Sequence, residues 1–162
     1  SESDAEKMYV LIQLLDNQFA TIVRQSYFTA FEKTAHEKVI SGVNTDILNQ
    51  EWINTLKEQF GDMEIPENFK YEWLYVSHMF NSPFYCYAYA WGNLFVLSLY
   101  DMYKKDGKKF IDKYIELLSA GGSDSPGNIM KKLGIDSESE EFWQRGFNII
   151  KEEIEELKKL AK

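Results

Sequence analysis

The sequence predicts an all-α fold, a compact body of several helices without a β-sheet. Apolar residues recur at steps of three and four along most of the chain, whereas alternation with a period of two is rare. The 162 residues include only three prolines, the residue type that interrupts helices most strongly. No internal repeat and no long glycine- and serine-rich linker separates two cores, so we expect one helical domain over residues 1–162.

Stripes of apolar side chains and end signals predict the helices of the first half. Asparagine and threonine cap helix starts because their side chains accept a free backbone N–H, and glycine allows the left-handed backbone that ends a helix. The first predicted helix runs from Asp4 to about Phe19, and the same apolar pattern continues toward Gly42. This stretch is either one long helix or two helices joined near Asn17. The next elements are a helix from an N-cap at Asn44 or Thr45 to Gly61, and a helix from Phe69 to the break at Asn81-Ser82-Pro83.

The same signals predict the helices of the second half. Pro83 suits a first helical turn, where its missing N–H is not needed, and Ser82 would cap that helix. The predicted elements are a helix from Pro83 through Trp91 to about Tyr103, one from Phe110 to the stop at Gly121-Gly122, one from Pro126 to Leu133 that Gly134 ends, and a last one, capped by Asp136 or Ser137, with an apolar edge from Phe142 to Leu160.

The charge of the chain argues against two classes of partner. The net charge of −8 repels the phosphates of nucleic acids and the surfaces of anionic membranes, so neither is expected to bind. No apolar run reaches the length of about 18 residues that a membrane span needs. The single Cys86 cannot form an internal disulfide and no signal peptide opens the sequence, so we expect a reducing, cytoplasmic location.

The window from Phe69 to Tyr100 is the most unusual part of the composition. It holds 12 of the 25 aromatic residues, against about 5 expected from the average content of the chain. Such a window is either the core of a helical hairpin or the wall of a polar cavity, and the surplus of tyrosine favours the cavity because a buried phenol needs a hydrogen-bond partner. Helical spacing puts Tyr85 and Tyr89 on one face with Tyr87 off it, and the preceding break can bring His78 toward them. One histidine and two tyrosines can bind a carbonyl group or an oxyanion through hydrogen bonds.

Other patterns of polar residues have simpler explanations. A structural zinc site is excluded because the two histidines are far apart and there is one thiol. His36-Glu37 begins like the zinc motif H-E-x-x-H, but Ile40 stands where the second histidine must be, so His36 is interpreted as a surface or cap residue. The loop at Ser125 to Gly127 lacks the order of a phosphate-binding loop, and a helix stop followed by a helix start explains it. The glutamates at 152, 153, 155 and 156 are interpreted as a solvated helix face.

Three runs of residues together resemble a known family. They are Arg24 to Glu32 with the pattern R-Q-x-x-F-x-x-F-E, His78 to Tyr89 with the pattern H-x(5)-F-Y-x-Y-x-Y, and Gly121 to Pro126 with the pattern G-x-S-x-x-P. In this order and spacing they resemble the C-terminal part of oligoendopeptidase F, in the thimet-oligopeptidase-like family of zinc peptidases. The resemblance covers nearly the whole chain and implies an elongated, all-α peptidase with a deep cleft.

The resemblance also implies which residues of such an enzyme bind zinc and which bind the substrate. The zinc ion would be held by the two histidines of H-E-x-x-H and by a glutamate about one helix later, and this sequence lacks that motif. The resemblance then implies zinc in the intact enzyme but none in this chain, which alone would cleave nothing. It carries over the opposite wall of the cleft, with Tyr89 and His78 as catalytic residues and Tyr85, Tyr87 and His78 as substrate-binding residues.

The implied partners are an oligopeptide substrate and the missing zinc-bearing N-terminal part. In the implied mechanism the Tyr89 phenol donates a hydrogen bond to the oxyanion that develops during peptide hydrolysis, while Tyr85 and His78 orient the peptide carbonyl. The face that would meet the missing part is expected to expose apolar side chains, so we expect the isolated chain to self-associate through it.

Two alternatives from other classes of function stay open at this point. One is a non-catalytic helical protein-interaction module, in which the aromatic window is only core and the acidic surface confers solubility. The other is a small-molecule pocket among the tyrosines, which a ligand-induced shift in melting temperature would detect. Recovery of peptide cleavage on mixing with the zinc-bearing part distinguishes the peptidase hypothesis from the interaction module, which predicts association without cleavage.

Overall fold

A computed structural model describes residues 3–162, and within this range all regular secondary structure is helical, which confirms the predicted fold class. The elements are α1 (Asp4–Gln18), a π-helical segment (Phe19–Arg24), α2 (Gln25–Ile40), α3 (Thr45–Phe60), a 3-10 helix (Glu67–Tyr75), α4 (His78–Asn81), α5 (Tyr87–Asp106), α6 (Lys108–Ala120), α7 (Pro126–Lys132) and α8 (Glu140–Leu160). In the part of the chain described here, none of these helices combines the length and the apolar character needed to cross a membrane.

The first predicted stretch is helical throughout, with a change of helix type inside it. The backbone passes from α1 into the π-helical segment at Phe19 and returns to α-helical geometry at Gln25. The junction expected near Asn17 therefore lies two residues later and is a wider helical turn rather than a break. Such π-helical turns are often found at functional sites.

The local end signals of the first half are confirmed. The Asn44 side chain is the N-cap of α3, because its Oδ1 atom accepts a hydrogen bond from the Ile47 N–H at 3.2 Å. Gly61 ends α3 with a φ of 61°, a left-handed conformation that a residue with a Cβ atom adopts at a cost.

The start of the last helix differs from the prediction. Ser139, not Asp136 or Ser137, is the N-cap of α8, and its Oγ atom accepts the Phe142 N–H at 3.2 Å. Both predicted caps have other partners, since Asp136 Oδ1 accepts the Glu138 N–H and the Ser137 carbonyl accepts the Trp143 indole N–H.

The segment expected as one α-helix from Phe69 to Asn81 is instead a 3-10 helix followed by the single turn α4. Tertiary contacts explain the difference. The Trp73 indole donates to Asn49 Oδ1 at 3.0 Å, and the adjacent Glu72 pairs with Arg24 at 2.5 Å. Two consecutive residues are thus tied to α3 and to the π-helical segment, and such contacts override the weak helical preference of a short segment.

The helix predicted to begin at Pro83 begins only at Tyr87. The N–H of Tyr85 donates to the carbonyl of Ser82 at 3.1 Å, which places Pro83 and Phe84 at the centre of a tight turn. Phe84 has a φ of 60°, which is incompatible with a right-handed helix at that residue. The prediction of Ser82 as a helix cap is therefore wrong, because the chain turns before it becomes helical.

The structure divides into two compact units, and the first to be described is Asn17–Trp91. Its core is aromatic and centres on Trp52, which is fully buried. The Trp52 ring stacks on Phe28 at 5.0 Å and meets the edge of Phe31 at 5.0 Å, and Phe31 in turn contacts Trp73 at 5.7 Å. This core therefore holds α2, α3 and the 3-10 helix together.

The other unit comprises the residues up to Asp16 and Gly92–Lys162. The buried residues of its core are Leu99, Phe110, Met130, Leu133, Ile135 and Phe142. Beside this core, the buried Asp101 carboxylate accepts hydrogen bonds from Lys105 at 2.7 Å and Arg145 at 3.1 Å. Burial alone would raise the pKa of Asp101, but these two hydrogen bonds outweigh burial and hold the pKa below its usual value.

A close approach of α5 and α8 in this second unit gives a first testable prediction. A Cβ atom added at Gly146 would lie 2.9 Å from the Leu94 carbonyl oxygen and 3.1 Å from Ser98 Oγ. Because the nearer atom belongs to the backbone, Gly146→Ala must push the helices apart and is expected to lower the free energy of unfolding by about 1–3 kcal/mol. Denaturant titration of the chain measures this loss.

Gly92→Ala is the matched control for this prediction. Gly92 also lies inside a helix, but no atom lies within 4 Å of the Cβ position. Alanine there is expected to stabilise the chain by about 0.5–1 kcal/mol, because glycine is unfavourable in a helix interior. Equal effects at the two positions would show that helix propensity, and not the close approach, controls Gly146.

Candidate functional site

The unit Asn17–Trp91 carries a cluster of three rings formed by His78, Tyr85 and Tyr89. The His78 ring stacks on Tyr85 with centroids 5.1 Å apart and planes 12° apart, and it meets Tyr89 edge-on at 5.7 Å. The two tyrosine rings are 5.5 Å apart and nearly perpendicular. The Tyr89 hydroxyl oxygen lies 3.4 Å from His78 Nε2, at the outer limit of a hydrogen bond.

The cluster faces solvent rather than the core. Tyr85 is 48% exposed and Tyr89 is 38% exposed, whereas Trp73 and Cys86 of the same aromatic window are buried. Some rings of the window therefore build the core, as one interpretation expected, whereas Tyr85 and Tyr89 form an exposed surface instead of the buried phenols that the cavity interpretation expected. The polar atoms of the cluster are accessible to a ligand.

The structure does not bring Tyr87 into the cluster. Tyr87 is the first residue of α5 and is 57% exposed, and no ring contact in residues 3–162 joins it to the other three side chains. The helical spacing argument expected Tyr85 and Tyr89 to share a face with Tyr87 off it. Tyr85 in fact precedes the helix, but its carbonyl accepts the Ala88 N–H at 3.0 Å, so a turn keeps its ring beside that of Tyr89.

The turn before Tyr85 is held from α2 by Glu32. The Phe84 N–H donates to Glu32 Oε1 at 2.7 Å, across 52 residues of sequence. Glu32 is only 1% exposed, and its second carboxylate oxygen is buried without a hydrogen-bond partner in the described chain. A residue other than glycine with a positive φ carries strain of about 1–3 kcal/mol, and a hydrogen bond to a buried carboxylate is of a strength that offsets it.

His36 also contacts this turn, which sequence reasoning did not anticipate. Its ring packs on the Phe84 ring at 4.9 Å, and its Nε2 atom lies 4.0 Å from Glu32 Oε1. Its side chain is 47% exposed, so the interpretation of His36 as a surface residue is compatible with the structure but omits the contact. Glu32 could have been recognised by one signal, since it is a charged residue on the apolar stripe that Phe28 and Phe31 share.

Cys86 directly follows Tyr85 in the sequence and is fully buried in the core of this unit. Burial raises the pKa of its thiol, and the nearby negative charge of Glu32 raises it further. A thiol in this state is a poor nucleophile, so Cys86 serves packing rather than chemistry.

Two further features of the sequence can be placed. Within residues 3–162 no group of three or more histidine, cysteine, aspartate or glutamate side chains could hold a metal ion. The loop at Ser125 is already filled by a carboxylate, because Asp124 accepts from the Ser125 N–H, the Asn128 amide and Lys132. The hydrogen bond from Lys132, followed by those from Asn128 and Ser125, lowers the pKa of Asp124 to about 2. The Ser125 Oγ atom accepts the Asn128 N–H at 3.4 Å as the N-cap of α7, so helix capping accounts for this loop.

Comparison with known proteins gives a consistent result. The sequence pattern of Peptidase family M3 matches residues 1–149. The oligopeptidase PepF of Bacillus subtilis (strain 168) is 30% identical over 162 residues, which cover 98% of this chain and 24% of that relative. An oligoendopeptidase F homolog of Borreliella burgdorferi is 33% identical over 164 residues, which cover 99% of this chain and 28% of that relative.

A solved structure has the same fold. The crystal structure of a candidate peptidase from Chlamydophila abortus superposes with a TM-score of 0.86 at 31% sequence identity, covering 99% of this chain and 27% of that one. The fold is therefore that of an all-helical peptidase. The chain belongs to Peptidase family M3, and the predicted likeness to oligoendopeptidase F is confirmed. It spans about a quarter of the length of the curated relatives it matches.

Proposed function

We propose that this chain is the C-terminal, substrate-binding and oxyanion-stabilising part of a zinc-dependent peptidase that cleaves oligopeptides. The observation that carries the proposal is the placement of the Tyr89 hydroxyl beside His78 Nε2 on an exposed surface, 3.4 Å apart. Membership of a peptidase family and the names of the relatives, oligopeptidase and oligoendopeptidase, support the substrate class.

Each group of the cluster has a distinct task in this proposal. The phenol O–H of Tyr89 donates a hydrogen bond to the carbonyl oxygen of the scissile peptide as negative charge develops on it. The imidazole of His78 lies next to that hydroxyl and, stacked on Tyr85, limits where the substrate carbonyl can sit. Tyr87 lies outside the cluster, two residues before Tyr89 on α5, and is proposed to contact the peptide outside the reacting bond.

Zinc is not assigned to this chain. The described residues offer no set of ligands that fits the ion, so we propose that the metal site of the enzyme lies in the part of the fold that this chain does not contain. Every role proposed for residues of this chain concerns binding and charge stabilisation, and none involves coordination of the metal.

A joined enzyme tests the proposal. This chain would replace the matching quarter of Bacillus subtilis oligopeptidase PepF, and cleavage of an internally quenched oligopeptide would be measured. We expect cleavage by the joined enzyme and none by the chain alone. A joined enzyme that unfolds cooperatively, binds zinc and yet leaves the peptide intact would contradict the proposal and favour the helical interaction module.

A binding measurement on the chain itself provides a second test. Titration with an oligopeptide should shift the ring NMR signals of His78, Tyr85 and Tyr89 together. Tyr9 is a suitable internal reference, because it is exposed, belongs to the other compact unit and lies outside the ring cluster. Equal shifts at Tyr9 and in the cluster would indicate non-specific association and would count against a substrate-binding surface.

Self-association of the isolated chain is a further prediction. In the unit that contains Gly92–Lys162, exposed apolar side chains of α5 and α6 line a groove of about 370 Å³ that includes Val96, Tyr100 and Ile111. We propose that the rest of the enzyme covers this groove in the intact protein, and that a second copy covers it in the isolated chain. Sedimentation should show a dimer that Val96→Asp dissociates, whereas a monomer at high concentration would contradict the prediction.

Organisation as one domain and a cytoplasmic location also remain predictions.

A further inference from the structure

Glu32 has no role in the proposed chemistry, yet it is a buried acidic residue that contacts the turn before Tyr85. It lies on α2, 1% exposed, among the aromatic side chains of the core. Burial of a carboxylate is unfavourable unless the carboxylate is hydrogen-bonded, and the hydrogen bond that the structure gives it is the one to the Phe84 N–H. The position of this charge therefore requires an explanation in terms of the turn that it contacts.

The geometry points to Glu32 as the positioning residue for the ring cluster, an inference that rests on the function proposed above. Its Oε1 atom accepts the Phe84 N–H at 2.7 Å and so fixes the backbone of the Pro83–Phe84 turn. Tyr85 follows this turn directly, and its ring is one face of the stack with His78. Glu32 thereby sets the place of Tyr85 without touching the substrate.

The conformation of Phe84 shows why a strong acceptor is needed. With proline before it, Phe84 occupies the second central position of the turn, where a positive φ is normally supplied by glycine. Without an acceptor for its N–H, a phenylalanine at this position would relax toward negative φ. The change would redirect the chain at Tyr85 and separate the Tyr85 ring from His78.

The side chain of Phe84 adds a second constraint from the same helix. Its ring packs on His36, which lies one turn after Glu32 on α2. The backbone of Phe84 is thus held by one residue of α2 and its ring by another. A glycine would adopt the turn more easily but would lose the contact with His36, which explains why a strained phenylalanine stands here.

Paired substitutions at Glu32 test the inference. Glu32→Met fits the apolar surroundings but removes the acceptor, whereas Glu32→Gln keeps an acceptor oxygen and removes only the charge. In Glu32→Met we expect loss of the NMR cross-peak between the His78 and Tyr85 rings while thermal unfolding stays cooperative. In Glu32→Gln the cross-peak should remain. An unchanged cross-peak in Glu32→Met, or its loss in both variants, would overturn the inference.

A measurement on the unmodified chain does not depend on whether any variant folds. The Phe84 amide should exchange with solvent about 10- to 150-fold more slowly than an unbonded amide, which is the protection expected for a hydrogen bond to a charged group. Exchange of this amide at the unprotected rate would show that the Glu32 contact does not form in solution and would overturn the inference.

The joined enzyme separates this inference from the proposed function. There, Glu32→Met is expected to lower kcat by up to about 100-fold, the effect of a misplacement of about 1 Å, with recovery in Glu32→Gln. An inactive joined enzyme with a normal NMR result would contradict the proposed function and leave Glu32 as the residue that positions the turn. Full activity in Glu32→Met with the cross-peak lost would instead show that the stack is not needed for catalysis, and would overturn the role of Glu32 in the reaction.

Discussion

Replacement of Trp52 by alanine is expected to remove a large part of the stability of the Asn17–Trp91 unit. Trp52 is fully buried, and its ring lies between Phe28 and Phe31 with both centroids 5.0 Å away. Removal of a buried tryptophan typically costs about 3–5 kcal/mol, because the lost transfer free energy is increased by the cavity left behind. This is a large part of the stability of a typical domain, about 5–15 kcal/mol. Chemical denaturation followed by circular dichroism measures the loss.

Trp52→Phe is the matched control for this experiment. The indole Nε1 atom of Trp52 is buried and has no hydrogen-bond partner in residues 3–162, so the phenylalanine variant loses no hydrogen bond. It keeps an aromatic ring between Phe28 and Phe31 and is expected to cost clearly less than the alanine variant. Similar losses for the two variants would mean that the neighbouring rings do not close around a smaller aromatic side chain. A loss below about 1 kcal/mol for Trp52→Ala would contradict the central place of this residue in the core.

Signals that act over a few residues were readable in the sequence. The Asn44 cap bonds an N–H three residues away, and the Gly61 stop depends on the backbone of a single residue. The all-helical fold follows from the same kind of information, since apolar spacing is a local property of each helix. These predictions needed no knowledge of tertiary contacts, and the structure confirms them.

Predictions failed where a distant residue decides the local conformation. The sequence around Pro83 is typical of a helix start, but the Phe84 N–H in the observed turn donates to a carboxylate that lies 52 residues earlier. In the same way, the contacts of Trp73 with Asn49 and of Glu72 with Arg24 favour a 3-10 helix where spacing predicts an α-helix. No local sequence pattern indicates these long-range contacts. The position of the charged Glu32 on an apolar stripe was nevertheless a visible sign that its side chain has a specific partner.

The candidate site was predictable as a set of residues but not as a geometry. Helical spacing correctly associated Tyr85 with Tyr89, and their rings are 5.5 Å apart. The path that brings them together is a turn followed by a helix rather than one continuous helical face. The stack of His78 on Tyr85 was not derivable, because it depends on where the single turn α4 ends relative to the turn at Phe84.

The largest expected effect on activity is that of Tyr89→Phe in the joined enzyme. The substitution removes one hydroxyl group and leaves a ring of nearly the same shape. Loss of one hydrogen-bond donor to a developing oxyanion typically lowers kcat by about 100- to 1,000-fold, equivalent to about 2.7–4 kcal/mol of transition-state stabilisation. The KM value should change little, because the hydrogen bond is stronger in the transition state than in the bound substrate.

Tyr75→Phe is the matched control for the activity measurement. It removes a phenol hydroxyl from the same compact unit, but Tyr75 is 87% exposed and lies outside the ring cluster. We expect its kcat to equal that of the unmodified joined enzyme. A decrease of similar size in both variants would point to a general effect of surface hydroxyl groups rather than to the role of Tyr89.

The division of the effect between kcat and KM separates catalysis from structure. In the chain, the Tyr89 hydroxyl contacts His78 at a distance of 3.4 Å and faces solvent, so its removal should leave the melting temperature nearly unchanged. A decrease in kcat at constant stability therefore reports a group that acts on the reacting carbonyl. A rise in KM alone would place Tyr89 among the substrate-binding residues, because uniform binding affects KM without changing kcat. An unchanged kcat would remove Tyr89 from the proposed mechanism and leave His78 and Tyr85 as the remaining candidate donors in the cluster.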